Sequence, residues 1–193
     1  MTRSRSSRPM DLRACRTALE RAAVSFAPGL SDTEARRAEK RFGFVFPDDL
    51  RAFLADGLPW GEPFPNWRAV DDPALLQAMN RPFEGMWFDV RQNSIWLADW
   101  GPRPSNEDEA FARLRALVDS APKLIPIRGH RYMPDRPASA GNPVISVHQT
   151  DLIYYGTTLE NYFHNEYHHF FGTPAYNLQG EARRIDFWSS LIE

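Results

Sequence analysis

The chain has 193 residues, 42% of them hydrophobic and 25% charged, with 23 basic against 25 acidic side chains and a formal charge of -2. That balance suits one soluble core, leaves no global field to recruit nucleic acid or an anionic membrane, and contains no apolar run near the ~18 residues that a membrane span needs. Cys15 is the one cysteine, which excludes an internal disulfide and every multi-cysteine metal cage and suits a reducing, cytoplasmic setting.

Residues 1–10 are basic and serine-rich without apolar periodicity, and read as a flexible tail; the same composition also fits an organelle presequence. From Asp11, the residues Leu12, Cys15, Leu19, Ala22, Ala23 and Phe26 recur at helical spacing, predicting an amphipathic helix stopped by Pro28-Gly29. Cys15 lies on the apolar stripe, so it is expected to be a buried, unreactive thiol. Ser31 and Glu34 form a capping box for a second helix that ends at Gly43, and Pro47-Asp48-Asp49 opens a third that ends at Gly57.

The middle of the chain holds Trp60, Trp67, Trp87, Trp96 and Trp100, with Pro59, Pro63 and Pro65 interrupting regular structure. A long aromatic connection is expected there, with a helix over Asp72 to Met79 and a short strand over Ser94 to Leu97. Acidic Glu107, Asp108 and Glu109 then open a helix carrying Phe111, Leu114, Leu117 and Val118 on one face, closed by Pro122. The last third reads as strands at Leu124 to Arg128, Asn142 to Val147 and Asp151 to Tyr155, with a hairpin turning at His148 to Thr150. A helix from Thr158 to Phe171 closes the pattern. Residues 11–193 are therefore expected to form a single α+β domain, with helices packed on one face of a mixed, mainly antiparallel sheet.

The segment from Ser31 to Leu54, S-D-T-E-x-R-R-A-E-K-R-F-G-F-V-F-P-D-D-L-R-A-F-L, resembles the N-terminal signature of the SUKH superfamily, which joins a fungal cell-wall-assembly regulator to many bacterial immunity proteins. Trp96 to Pro102, Gly129-His130-Arg131-Tyr132, Gly141 to Gly156 and Phe187-Trp188 are similar to the bacterial branch. The resemblance implies helices on one face of a mixed sheet, and a binding protein without catalysis or cofactor that neutralises a secreted toxin by contact. A charge of only -2 departs from the strongly acidic character common among inhibitors of nucleases.

Two clusters invite a chemical reading. His164-Asn165-Glu166-Tyr167-His168-His169 is superficially like a zinc-protease helix, but at about 100° per residue His164 and His168 stand about 40° apart while Glu166 lies about 160° from each. No metal site is expected, and the histidines are read as solvent-facing on the last turns. Arg128, His130, Arg131 and Tyr132 gather guanidiniums, an imidazole and a phenol at a strand end, a set that can grip a carboxylate or phosphate. No nucleophile or partner carboxylate stands at a diagnostic spacing, although Asp99, Asp135 and Asp151 are available. Phosphate-binding glycine loops and the Gly-x-Ser-x-Gly elbow are absent.

The leading expectation is a protein-binding module contacting its partner through loops on the sheet side away from the helices. The expected contact residues are Trp60, Trp67, Arg68, Trp100, Arg128, His130, Arg131 and Tyr132. The alternative is a small-molecule or anion site, or a hydrolase, centred on Arg128, His130 and Arg131.

Overall fold

The computed structural model describes residues 9–192; residues 1–8 of the expected tail, and residue 193, lie outside them. Seven α-helices and two antiparallel sheets make an α+β fold among the described residues. Helix α1 (Leu12–Arg21) is capped by Asp11, whose carboxylate accepts from the Ala14 N–H. It stops well before Pro28, because Ser25–Ala27 forms strand β1, paired with β2 (Leu58–Trp60). Three-residue strands are too short to show period-two alternation, so this small sheet had no signal in the sequence.

Helix α2 (Asp32–Phe42) starts with the expected capping box: Ser31 Oγ accepts from the Glu34 N–H, and Glu34 Oε2 accepts from the Ser31 N–H. Gly43 ends the helix in the left-handed region. Ser31→Ala is expected to lower stability by about 1 kcal/mol, read by denaturant titration with an unchanged m-value. Helix α3 (Asp48–Asp56) buries Leu50, Phe53 and Leu54.

Helix α4 runs over Pro73–Gln92, far beyond the expected Met79, and carries Pro82 in its interior. A proline there lacks the N–H that would bond the carbonyl four residues earlier, at Ala78. The Tyr132 hydroxyl donates to that carbonyl at 2.9 Å, so a residue from the sheet replaces the missing bond. Gly85 is needed one turn on, where a Cβ would stand 3.0 Å from the Gln149 backbone. The expected strand over Ser94 to Leu97 is absent; that segment is irregular and leads into a single 3₁₀ turn, Ala98–Trp100. Helix α5 (Glu107–Ser120) is capped by Asn106 and packs on α4.

The second sheet is a four-stranded meander: β3 (Leu124–Arg128), β4 (Arg131–Pro134), β5 (Val144–His148) and β6 (Asp151–Gly156). It is wholly antiparallel. Consecutive residues along its strands are buried on opposite faces. Ile125, Ile127, Met133 and Val144 join a core with α1, α2, α3 and the later helix α6 (Leu159–Glu166). Leu124, Tyr132, Ile145, Val147 and Leu152 join a second core with α4, α5 and the C-terminal Ile185, Trp188 and Leu191. The expected one-sided helix layer is therefore corrected: helices cover both faces, which is why these strands read as continuous apolar runs rather than alternating ones. No sheet face away from the helices remains for docking.

Both sheet edges are blunted as well. Pro126 removes one donor from β3, and the β3 end is tied by Gly129 N–H to the Pro63 carbonyl. On β6, the Tyr154 and Tyr155 carbonyls accept from the Tyr176 hydroxyl and Asn165 Nδ2. An edge whose backbone is already engaged is a poor template for strand addition.

Candidate functional site

The β3–β4 hairpin turns at Gly129 and His130, with Gly129 at φ 56°. A bulge between Pro126 and Arg128 shifts the register by which Arg128 would follow Leu124 and Pro126, and Arg128 meets α6 on the other face. Arg128 Nη1 lies 2.6 Å from Glu166 Oε1, and Arg131 Nε lies 3.3 Å from Glu166 Oε2. The carboxylate missing from the sequence reading is thus Glu166, 38 and 35 residues from its partners. Asp135 is engaged with the Lys123 N–H, and Asp151 closes the β5–β6 hairpin opposite His148.

The pairing is well shielded: the side chains of Glu166 and Arg131 are 14% and 12% exposed. Arg131 Nη1 also donates to Ser146 Oγ at 2.7 Å, and its guanidinium carbon lies 3.8 Å from the Tyr155 ring centroid. Two cations share one carboxylate, so the cluster keeps one surplus positive charge. Arg128 Nε and the hydroxyls of Tyr162 and Tyr167 are buried with no hydrogen-bond partner among the described residues. Burial pushes the Tyr162 hydroxyl well above its ordinary value and the Tyr167 hydroxyl to about 12, so both stay protonated.

His130 stands beside Arg131, its Nε2 against Arg131 Nη1. Because a guanidinium only donates, Nε2 accepts, and the ring proton sits on Nδ1. Partial burial first, and then the Arg131 charge, hold the imidazole below its ordinary 6.5. A lowered base pKa means that the folded state binds fewer protons. The stability it brings is present above 6.5 and lost as pH falls through the folded value. Between about pH 7 and about pH 5 the wild-type Tm is expected to fall more than that of His130→Gln, measured by parallel thermal melts.

Four of the expected contact residues are reassigned. Trp67, 1% exposed, stands edge-on to Phe42, Phe44 and Phe46, with the nearest centroid at 5.1 Å. Trp100, 2% exposed, lies edge-on to Trp96. Tyr132 is wholly buried on the α4 side, the opposite face from Arg131, because successive strand residues alternate. Arg68 binds Glu34 at 2.8 Å and the carbonyls of Pro28 and Gly29, tying the loop to α2. Trp67 found its partners in Phe42, Phe44 and Phe46, at the end of α2 and in the link to α3, a proximity that loop composition does not reveal.

Trp60 remains at the surface, 50% exposed. It ends β2 and stands at the mouth of a cleft of about 420 Å³. Pro59, Pro63, Phe64 and Pro65 form one wall; Ala74, Gln77, Ala78 and Arg81, spaced three and four apart on α4, form the other. Pro126 and Gly129 close the end nearest the arginine cluster, where Arg81 Nη1 donates to the Gly129 carbonyl. Arg81 and Phe64 were missed, and Glu166 was weighed only as a metalloprotease base; only the helical stripe on α4 held a sequence signal, and the unexpected length of α4 concealed it.

The histidine segment is also corrected. The expected helix from Thr158 to Phe171 breaks at Tyr167 into α6 and α7 (His168–Phe171). His164 is stacked on Phe171 at 4.0 Å, with its Nδ1 buried, rather than facing solvent. Among the described residues no group of three or more His, Cys, Asp or Glu side chains is placed to hold a metal ion, and no helix is long and apolar enough to cross a membrane. Comparison with family models, curated proteins and solved structures finds no match to the chain.

Proposed function

We propose that this protein is a non-enzymatic binding module that acts by direct contact with a protein partner, and that the partner is a toxin domain, as the SUKH resemblance implies. The observation that carries the reading is Trp60: alone of the six tryptophans it is exposed, and it stands on a strand end beside a cleft. A large rigid aromatic at the rim of a concave surface is the usual anchor of a protein interface. The arginine cluster adds support, because Glu166 occupies the position that a bound anion would take and His130 Nε2 is engaged by Arg131. The test is capture of the partner from the native cell by wild type and by Trp60→Ala, followed by titration of the purified pair.

A second reading, a small-anion site at Arg128, His130 and Arg131, has one observation in its favour: the surplus positive charge beside unpartnered buried donors. Chloride or phosphate raising the Tm of wild type but not of Arg128→Met would support it.

A further inference from the structure

The Trp60 cleft has a specific chemistry, and it deepens the binding-module reading on which it rests. Its Pro59–Pro65 wall is apolar and stiff: three prolines and Phe64 follow one another with Trp60 at the rim. Around the cleft stand polar groups whose donors are uncommitted within the described structure. Asn66 uses its Oδ1 to accept from the Arg68 N–H, which leaves its Nδ2 donors for a ligand. Gln77 on α4 and the Trp60 indole N–H have no hydrogen-bond partner among the described residues, and Arg81 uses one nitrogen on Gly129. Two carboxylates, Glu62 and Asp72, line the cleft against the single guanidinium of Arg81, so the lining carries a net negative charge. Asp72 spends only Oδ1 on capping α4, through the Ala74 N–H.

We infer that the cleft receives an extended, proline-rich segment of the partner carrying a basic residue. A polyproline II segment has no internal hydrogen bonds, so its carbonyls all need donors, and Asn66, Gln77, Trp60 and Arg81 supply them. Proline rings lie flat against an exposed indole and an apolar wall, and the segment is already extended, so little conformational freedom is lost on docking. A flanking lysine or arginine is drawn by Glu62 and the second oxygen of Asp72. The same aromatic rim and polar lining can also hold a sugar ring, but a set of donors around a proline-lined cleft matches backbone carbonyls better than the mixed donors and acceptors of a sugar. A strand added to the four-stranded sheet is disfavoured because both its edges are blunted.

The probes are a synthetic proline-rich peptide carrying arginine, the same peptide with glutamate for arginine, one with glycine for proline, and maltose as a neutral sugar. Each is titrated into the full chain by calorimetry and by tryptophan fluorescence, with Trp60's share taken as the difference between wild type and Trp60→Phe, since the chain has six tryptophans. The arginine peptide is expected to bind, Trp60→Ala to weaken it at least ~30-fold, the factor that the loss of one anchor brings, and Trp60→Phe to retain most of it. Glu62→Gln should weaken the arginine peptide by up to ~5-fold and strengthen the glutamate peptide by no more than that, as befits one exposed charge pair. Equal binding of the glycine peptide, maltose binding lost in Trp60→Ala, or no peptide binding while Trp60 still governs capture of the whole partner would each overturn the proline-segment inference. In the first and last cases the binding-module reading survives on its own; if neither peptide nor whole partner depends on Trp60, both fall.

Discussion

Replacing Glu166 by glutamine is expected to destabilise the protein by about 3 kcal/mol, because it leaves two largely shielded guanidiniums beside one another with no counter-charge. The side chain that remains is nearly the same size, so packing is conserved and the loss reports charge. Arg131 is the more shielded partner at 12% exposed, against 31% for Arg128, so most of the penalty comes from its desolvated charge. In a chain of this length, about 3 kcal/mol corresponds to a fall in Tm of about 6–12 °C. Arg128→Met should cost far less, about 1 kcal/mol, since Glu166 keeps Arg131 and the lost pair is partly in water. In the double variant Glu166→Gln, Arg128→Met, part of the loss should be recovered, because one of the two stranded cations is gone. Thermal and denaturant melts of the three variants decide the matter. A fall of less than ~2 °C for Glu166→Gln would show that solvent screens the cluster and that it does not hold α6 to the hairpin.

Trp60→Ala is expected to weaken capture of the native partner at least ~30-fold while leaving the fold intact. The indole is half in water and ends a three-residue strand, so little core is lost with it. Trp67→Ala is the informative contrast. That indole is enclosed by three phenylalanines, and its removal should cost about 3–5 kcal/mol of stability by opening a cavity, with any loss of binding following from unfolding. Partner protection measured against the ratio of the two proteins should break near equal amounts, since each module occupies one target. Inactivation of a large excess of target by traces of this protein, abolished by His130→Gln, would sink the contact mechanism and favour the hydrolase alternative.

The sequence by itself determined the local elements wherever one short-range pattern was sufficient. The Ser31–Glu34 capping box, the Gly43 stop, the acidic first turn of α5 and the apolar run of β3 each act over a few residues, and each appears where its chemistry is written. The α+β class follows from their order. Cys15 on the helical stripe is buried in the structure, and burial raises its thiol to about 12, so it stays protonated and inert. Only the tertiary structure decided that helices cover both sheet faces, since a buried strand residue carries no mark of which helix will cover it. Only it extended α4 through Pro82, because the Tyr132 hydroxyl that replaces the lost bond is 54 residues from the carbonyl it serves. The candidate site has the same origin. Glu166 reaches Arg128 and Arg131 through a bulge and a hairpin, and Trp60 is exposed while Trp67 is enclosed, although both lie in one proline-broken stretch. What separates those two tryptophans is the company of Phe42, Phe44 and Phe46, which chain folding, not local composition, brings to only one of them.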